Sequence, residues 1–281
     1  MSEPNRHLPH HGPHHPPHEG AQRPDGGRRT LLAALAAAAL APLAACGGGG
    51  DDHHHDDDDA GHEQLPLLRF VNATLEYASL DVFLPDIPDR PASKPVEIDL
   101  RNGGTTTPYD SLGAKRHRVR MKSTTFGVEG EVEGEKVFEP DTYTTALAYG
   151  GRGTSGKLVF LDENEPAAPD GRHKLRVLHA SPLHQALDVY VTPPTMTDLR
   201  DEPPALAGIA YGAVTAYKAL AVGLLRVHVT AAGSKTVLYR SDPFHPSGSI
   251  TTLALLPRND RLHLTELPQG RSAQQHDNVV T

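Results

Sequence analysis

The chain repeats itself, and that constrains its fold more than any other feature. Leu68-Arg69-Phe70-Val71-Asn72-Ala73 returns as Leu175-Arg176-Val177-Leu178-His179-Ala180, at a spacing of 107 residues. Without a gap, the same spacing aligns Leu80-Asp81-Val82-Phe83-Leu84 with Leu187-Asp188-Val189-Tyr190-Val191, and Tyr143 to Ala148 with Ile250 to Leu255. A period near a hundred residues is too long for a solenoid unit and fits a domain duplicated in tandem. The break between copies falls near Asp162 to Gly171, where Asn164, Pro166, Pro169 and Gly171 interrupt the apolar pattern.

Within each copy the apolar residues recur every second position. Val119 and Met121 alternate with Arg118, Arg120 and Lys122; Leu225, Val227 and Val229 alternate with Arg226, His228 and Thr230. Period two puts one strand face on a core and the other in water. The first copy reads as seven strands, around 67–72, 80–84, 95–100, 117–122, 127–132, 142–148 and 157–161. The second repeats the series from His173 to Leu267, with Ala231-Ala232-Gly233-Ser234 as a hairpin connection. The segment Ala205 to Leu220 contains Gly208 and Gly212 and is ambiguous between helix and strand. The 25 Pro, 26 Gly and no Trp fit many turns and short elements. The expected fold is therefore all-β, two tandem immunoglobulin-like or transthyretin-like β-sandwich domains after a disordered N-terminal segment.

The blocks Leu175 to Pro182 and Leu187 to Val191 resemble the opening of a bacterial envelope family known as domain of unknown function 4397. Its members begin with an Arg-Val-hydrophobic-His/Asn-Ala-Ser-Pro strand followed by a Val-Asp-Val-Tyr-Val strand. The resemblance covers both copies, roughly 65–165 and 172–268, and is stronger in the second. The first departs from it with Asn72 in place of His and Thr74-Leu75 in place of Ser-Pro. The resemblance implies secreted or lipid-anchored β-sandwich modules and carries no catalytic residues with it.

The N-terminal quarter reads as an export and anchoring device. Arg28-Arg29 precede an apolar run, Leu31 to Ala45, that is short for a membrane span and broken by Pro42. It ends in Leu43-Ala44-Ala45-Cys46, the pattern of a lipoprotein processing site, and Cys46 is the only cysteine. Residues 1–45 are expected to be a signal peptide, with the arginine pair resembling a twin-arginine signal and a His/Pro-rich n-region that is removed. The partner implied is a membrane, reached through lipid on Cys46. Gly47 directly after it permits sorting to the outer membrane.

Residues 46–64 form a Gly/His/Asp-rich linker. His53, His54, His55, Asp56 and Asp57 carry imidazole and carboxylate groups suited to zinc, copper or nickel, yet a flexible run lacks the surroundings that fix ligands for a selective site. The plainer reading is a solvated acidic spacer. The remaining boundaries are 65–168 for the first sandwich, 169–268 for the second and 269–281 for a disordered tail. A net charge of −8 and a pI near 6.1 argue against nucleic acid as a partner.

Three motifs invite catalytic readings and each loses to a structural one. Gly151-Arg152-Gly153-Thr154-Ser155-Gly156-Lys157 resembles a phosphate-binding loop, but Leu158 stands where Ser or Thr would hold magnesium and no helix pattern follows. Asp81 and Asp188 hold equivalent strand positions, so they fall one per domain and either point to solvent or bond a neighbouring loop. His179, Ser181 and Asp188 suggest a hydrolytic triad without a G-x-S-x-G elbow. No catalytic residue and no cofactor is expected. The sequence reading is a non-enzymatic, lipid-anchored envelope protein presenting two sandwiches to a protein or glycan ligand. The alternatives are a metal-binding lipoprotein and an envelope hydrolase.

Overall fold

The computed structural model describes residues 64–103 and 107–280. Eight strands build the first copy: β1 (Leu67–Thr74), β2 (Ser79–Phe83), β3 (Glu97–Arg101), β4 (Asp110–Ser111), β5 (Arg116–Ser123), β6 (Glu131–Val137), β7 (Tyr143–Gly150) and β8 (Lys157–Asp162). Nine build the second: β9 (Arg172–His179), β10 (Ala186–Thr192), β11 (Leu206–Ala210), β12 (Lys218–Ala221), β13 (Arg226–Ala231), β14 (Val237–Arg240), β15 (Ile250–Arg258), β16 (Arg261–Pro268) and β17 (Gln274–His276). The sheets run β4-β1-β7-β8 and β3-β2-β5-β6 in the first copy, and β12-β9-β15-β16-β17 and β11-β10-β13-β14 in the second. Strand for strand the order is the same, with β17 added at one edge. The chain is two tandem β-sandwiches.

The duplication extends to register. The parallel pairs match at the repeat spacing, Leu67 opposite Tyr143 and Lys174 opposite Ile250. Both copies also place a bulge in the edge strand of the outer sheet, where β3 and β11 each carry one extra residue opposite Asp81 and Asp188. Within the bulge a residue takes positive φ, Asp99 at 55° and Gly208 at 62°. In this type of bulge the residue at positive φ absorbs the extra position, which accounts for a glycine in the middle of β11.

Each sandwich has its own core. Leu68, Phe70, Leu80, Val82, Val119, Met121 and Ala146 meet in the first, and Leu175, Val177, Leu187, Val189, Val227, Val229 and Leu253 in the second. Alternation then sends the intervening residues of β1, β7, β9 and β15 to the opposite face, and that face is also buried. Val71, Ala73, Leu147 and Leu161 from the first copy join Leu178, Ala180, Ala254, Leu256 and Leu267 from the second in a third core. Val71 and Leu178, Ala73 and Ala180, and Leu147 and Ala254 are repeat-equivalent pairs. The same face of each copy therefore packs on the other, as in a two-fold dimer, here within one chain. Both sandwiches lie in one compact unit.

The structure corrects several sequence expectations. The 269–281 tail is not disordered over its described part. β17 pairs with β16, Tyr239 donates to the carbonyl of His276 at 2.9 Å and Val279 N donates to the carbonyl of Arg240 at 2.9 Å; its polar residues satisfy backbone groups where no apolar period signals a strand. The ambiguous Ala205 to Leu220 resolves into β11 and β12. The strand expected at 127–132 lies at 131–137, because Gly127, at φ 72°, turns the preceding residues into a loop. The parallel pairing of β1 with β7 and β9 with β15 was not foreseen. The Ala231–Ser234 connection is a turn as expected, with Ser234 N donating to Ala231 O at 2.9 Å.

Because the third core belongs to both sandwiches, thermal unfolding is expected as one calorimetric transition. Leu147→Ala should cost roughly 2–5 kcal/mol, as for other fully buried leucines. Leu147→Asp should split the endotherm into two, and scanning calorimetry of the three proteins reads both outcomes.

Candidate functional site

The residues expected to be lipidated or to meet metal, Cys46, His53, His54, His55, Asp56 and Asp57, lie outside the described residues. Among the described residues no cluster of three or more His, Cys, Asp or Glu side chains has metal-binding geometry.

The proposed triad residues are occupied otherwise. His179 ends β9 fully buried, its Nε2 donating to the carbonyl of His184 at 3.0 Å. Asn72, at the same place in the first copy, donates through Nδ2 to the carbonyl of Tyr77 at 3.0 Å. Each side chain thus bonds a carbonyl five residues on and holds the turn into the next strand, so His and Asn are alternative solutions to one backbone problem. Asp188 accepts from Gly208 N at 2.7 Å and Gly233 N at 2.8 Å, and Asp81 accepts from Asp99 N at 3.1 Å. Both carboxylates satisfy the amide exposed by the bulge, as the reading of a bonded neighbouring loop anticipated. Ser181 Oγ is buried with no hydrogen-bond partner. His179 and Asp188 share no hydrogen bond, and no acid–base relay forms.

The loop resembling a phosphate cradle is the β7–β8 hairpin. Gly153 N donates to Glu76 Oε2 at 2.8 Å and Arg152 pairs with Asp260 at 3.0 Å. A backbone donor that would meet a phosphate is already spent on a carboxylate of the chain. β7 and β8 run antiparallel on either side, and β15 and β16 flank the equivalent turn in the second copy.

Sequence reasoning passed over the repeated arginines. Arg69 is fully buried and donates to Thr145 Oγ1 at 2.7 Å, Glu163 Oε1 at 2.8 Å and the carbonyl of Arg271 at 3.0 Å, under the ring of Tyr109 at 4.5 Å. Tyr109 donates its hydroxyl to Glu163 Oε2, and burial followed by the Glu163 charge pushes its pKa up. In the second copy Arg176 donates to Thr252 Oγ1 at 2.9 Å and the carbonyl of Asp162 at 2.8 Å, beside the ring of Tyr217 at 4.6 Å. Each arginine is held by its own copy and reaches a carbonyl of the other. The available signal was Arg at the same position in both repeats, inside an otherwise apolar strand. Only Glu163 lacks a counterpart, since the equivalent position is Gly270.

The first sandwich opens between β3 and β4 into a cavity of about 310 Å³, lined by Leu68, Phe70, Leu84, Ile87, Val96 and Leu112, with Tyr109 at its rim. That is near the lower size of small-ligand pockets. In the second sandwich Leu206, Ala213 and Leu220 pack against the core.

Three buried histidines resist protonation. Burial holds the pKa of His179 down to about 4; burial and then the Arg226 and Arg240 charges do so for His228, and burial and then Arg258 for His263. The unfolded chain takes up protons on these rings below about 6.5 while the fold refuses them.

The fold and its buried polar units define a tandem β-sandwich protein in which one module is repeated. Residues 66–190 match the model of the family described as domain of unknown function (DUF4397). The match takes in the first sandwich and continues through the His179 motif into β10. No curated protein matches. Two solved structures from streptococcal virulence factors are similar, one titled for α-glucan recognition by family 41 carbohydrate-binding modules and one for α-glucan binding. They share 12% and 11% identity, each with 67% of this chain and 93% of that chain covered, at TM-scores of 0.24 and 0.25. At those scores they carry no argument about this chain.

Three outcomes follow. Glu163→Gln should cost about 3–5 kcal/mol in urea unfolding, because it leaves a buried guanidinium uncompensated, and Arg69→Met with Glu163→Leu should cost less than Glu163→Gln alone. Ser181→Ala should leave stability within about 0.5 kcal/mol, since no hydrogen bond is lost, whereas Asp188→Ala should cost about 1–3 kcal/mol by stranding amide donors. The unfolded state binds more protons than the fold between pH 6.5 and 4, so the melting temperature should fall as pH drops through that window.

Proposed function

We propose that this is a non-enzymatic, lipid-anchored protein of the cell envelope that holds two sandwiches as one rigid binding body on an acidic spacer. The observation that carries the reading is the fate of the candidate catalytic groups. His179, Asp81 and Asp188 hold turns and bulges, and the Gly151–Lys157 loop is a hairpin, while the first sandwich opens at its edge into a pocket with a largely aliphatic wall and a polar rim. Catalysis needs an acid or base free to meet a substrate; binding needs shape, a few polar groups and a stiff support. The third core supplies the stiffness. The ligand of such a body is a protein or a glycan.

Anchoring follows from Leu43-Ala44-Ala45-Cys46, with residues 46–64 as the spacer and Gly47 directing the protein to the outer membrane of a two-membrane cell. Growth with an alkyne-bearing palmitate analogue should label the protein, and Cys46→Ser should abolish the label and release the protein from the membrane fraction. A protein that stays unlabelled, or that fractionates with the inner membrane, refutes the anchoring or its address respectively. Turnover of an envelope polymer that is lost in Asp188→Asn would overturn the non-enzymatic reading.

A further inference from the structure

We propose that the open end of the second sandwich binds a tetrahedral oxyanion, the phosphate of a phosphate ester or free phosphate. Four chain segments meet there: Arg172 and His173 at the start of β9, Val222 and Gly223 between β12 and β13, His245 to Ser249 before β15, and Arg271 after β16. They enclose a cleft of about 330 Å³. The segments are tied together by backbone and side-chain bonds. Val222 N donates to Gly171 O at 3.2 Å, Lys174 N to Ser249 O at 2.7 Å and Arg271 Nη1 to Ser247 O at 2.8 Å. The cleft has a built frame, and the space exceeds one phosphate, leaving room for the group that carries it.

Its charge is the reverse of the chain's. In a protein of net charge −8, the lining brings together Arg172, Arg271, His173 and His245 and includes no carboxylate. The carboxylate behind it, Glu266, accepts from Ser247 N at 2.7 Å and faces His276 Nε2 at 3.2 Å. Among the described residues the Arg172 side chain has no hydrogen-bond or ion-pair partner. Two or more guanidinium and imidazole donors arriving from separate segments suit an anion with oxygens in several directions.

Unmet polar atoms point the same way. His173 is 2% exposed and shares the face of β9 with Leu175 and Val177, so its ring closes the end of the core, and its Nε2 has no partner. Ser247 Oγ is also buried without one. Leaving such atoms unpaired costs stability, and both residues line the cleft.

The first copy serves as an internal control. The frame bond is reproduced, Leu67 N to Thr142 O at 2.8 Å. At the repeat spacing, however, Arg172, His173, Ser247, Gly248 and Arg271 correspond to Leu65, Pro66, Pro140, Asp141 and Asn164. None of these is basic. The same end folds without arginine or histidine, so the basic set answers a need other than the fold.

The site goes beyond the anchoring proposal and does not depend on it. Isothermal titration of the full chain with inorganic phosphate, at ionic strength matched with chloride, should show saturable binding. Arg172→Ala and Arg271→Ala should each weaken it on the order of tenfold. Arg172→Ala removes no hydrogen bond, and an unchanged melting temperature confirms that the fold is intact. Co-sedimentation with vesicles of phosphatidylglycerol against phosphatidylcholine separates the sources: retention on phosphatidylglycerol that is lost in Arg172→Ala, without binding of free phosphate, assigns the oxyanion to a lipid headgroup. Binding that survives both substitutions, or no binding by either probe, overturns the site.

Discussion

The face that β1, β7, β9 and β15 present away from their own cores is the constraint on which the molecule depends. In each copy this face carries Val71 or Leu178, Ala73 or Ala180, and Leu147 or Ala254, and an apolar sheet face left in water is unfavourable by its buried area. Each copy covers the other. The parallel pairs at the centre of the inner sheets become buried on both faces, with β1 buried without a break from Leu68 to Thr74 and β15 from Ile250 to Pro257, as expected when a sheet is covered twice. An ion pair in the middle of such a face would normally cost more in desolvation than it returns. Arg69 is tolerated because Thr145, Glu163, Tyr109 and a carbonyl from the other copy meet its donors, and Arg176 repeats the arrangement without the carboxylate.

A duplicated module allows what must stay the same to be separated from what can change. Bulge, carboxylate, strand-end side chain and arginine recur at matched positions, and each satisfies a backbone or interface requirement shared by both copies. The differences gather at the edges and ends. The first sandwich opens between β3 and β4, while the second ends in a basic cleft. The repeated residues carry the frame, and ligand chemistry belongs where the copies diverge.

Much of the fold was legible because strand faces write themselves into sequence as period two, and because Leu68-Arg69 and Leu175-Arg176 fix the repeat spacing. The equivalence of Asp81 and Asp188 placed them one per domain, and the structure decided between solvent and a bonded neighbour. What escaped was whatever depends on partners distant in the chain. β4 and β17 have two and three residues and exist through pairing with β1 and β16. Gly208 left its segment ambiguous between helix and strand, and the bulge places it at positive φ inside β11. The basic cleft joins Arg172 to Arg271 across nearly a hundred residues with no spacing motif, so nothing in the linear order marked it.

The sequence by itself determined that the chain is a duplicated all-β protein, since period and repeat are local properties that survive without knowledge of contacts. It also placed His179 and Ser181 at a strand end rather than in an elbow. Only the tertiary structure decided that the two copies pack through the same face, that the arginines bridge them and that unlike clefts lie at their ends. Those outcomes depend on which side of a sheet is covered and by what, and alternation along a strand specifies two faces without saying what each will meet.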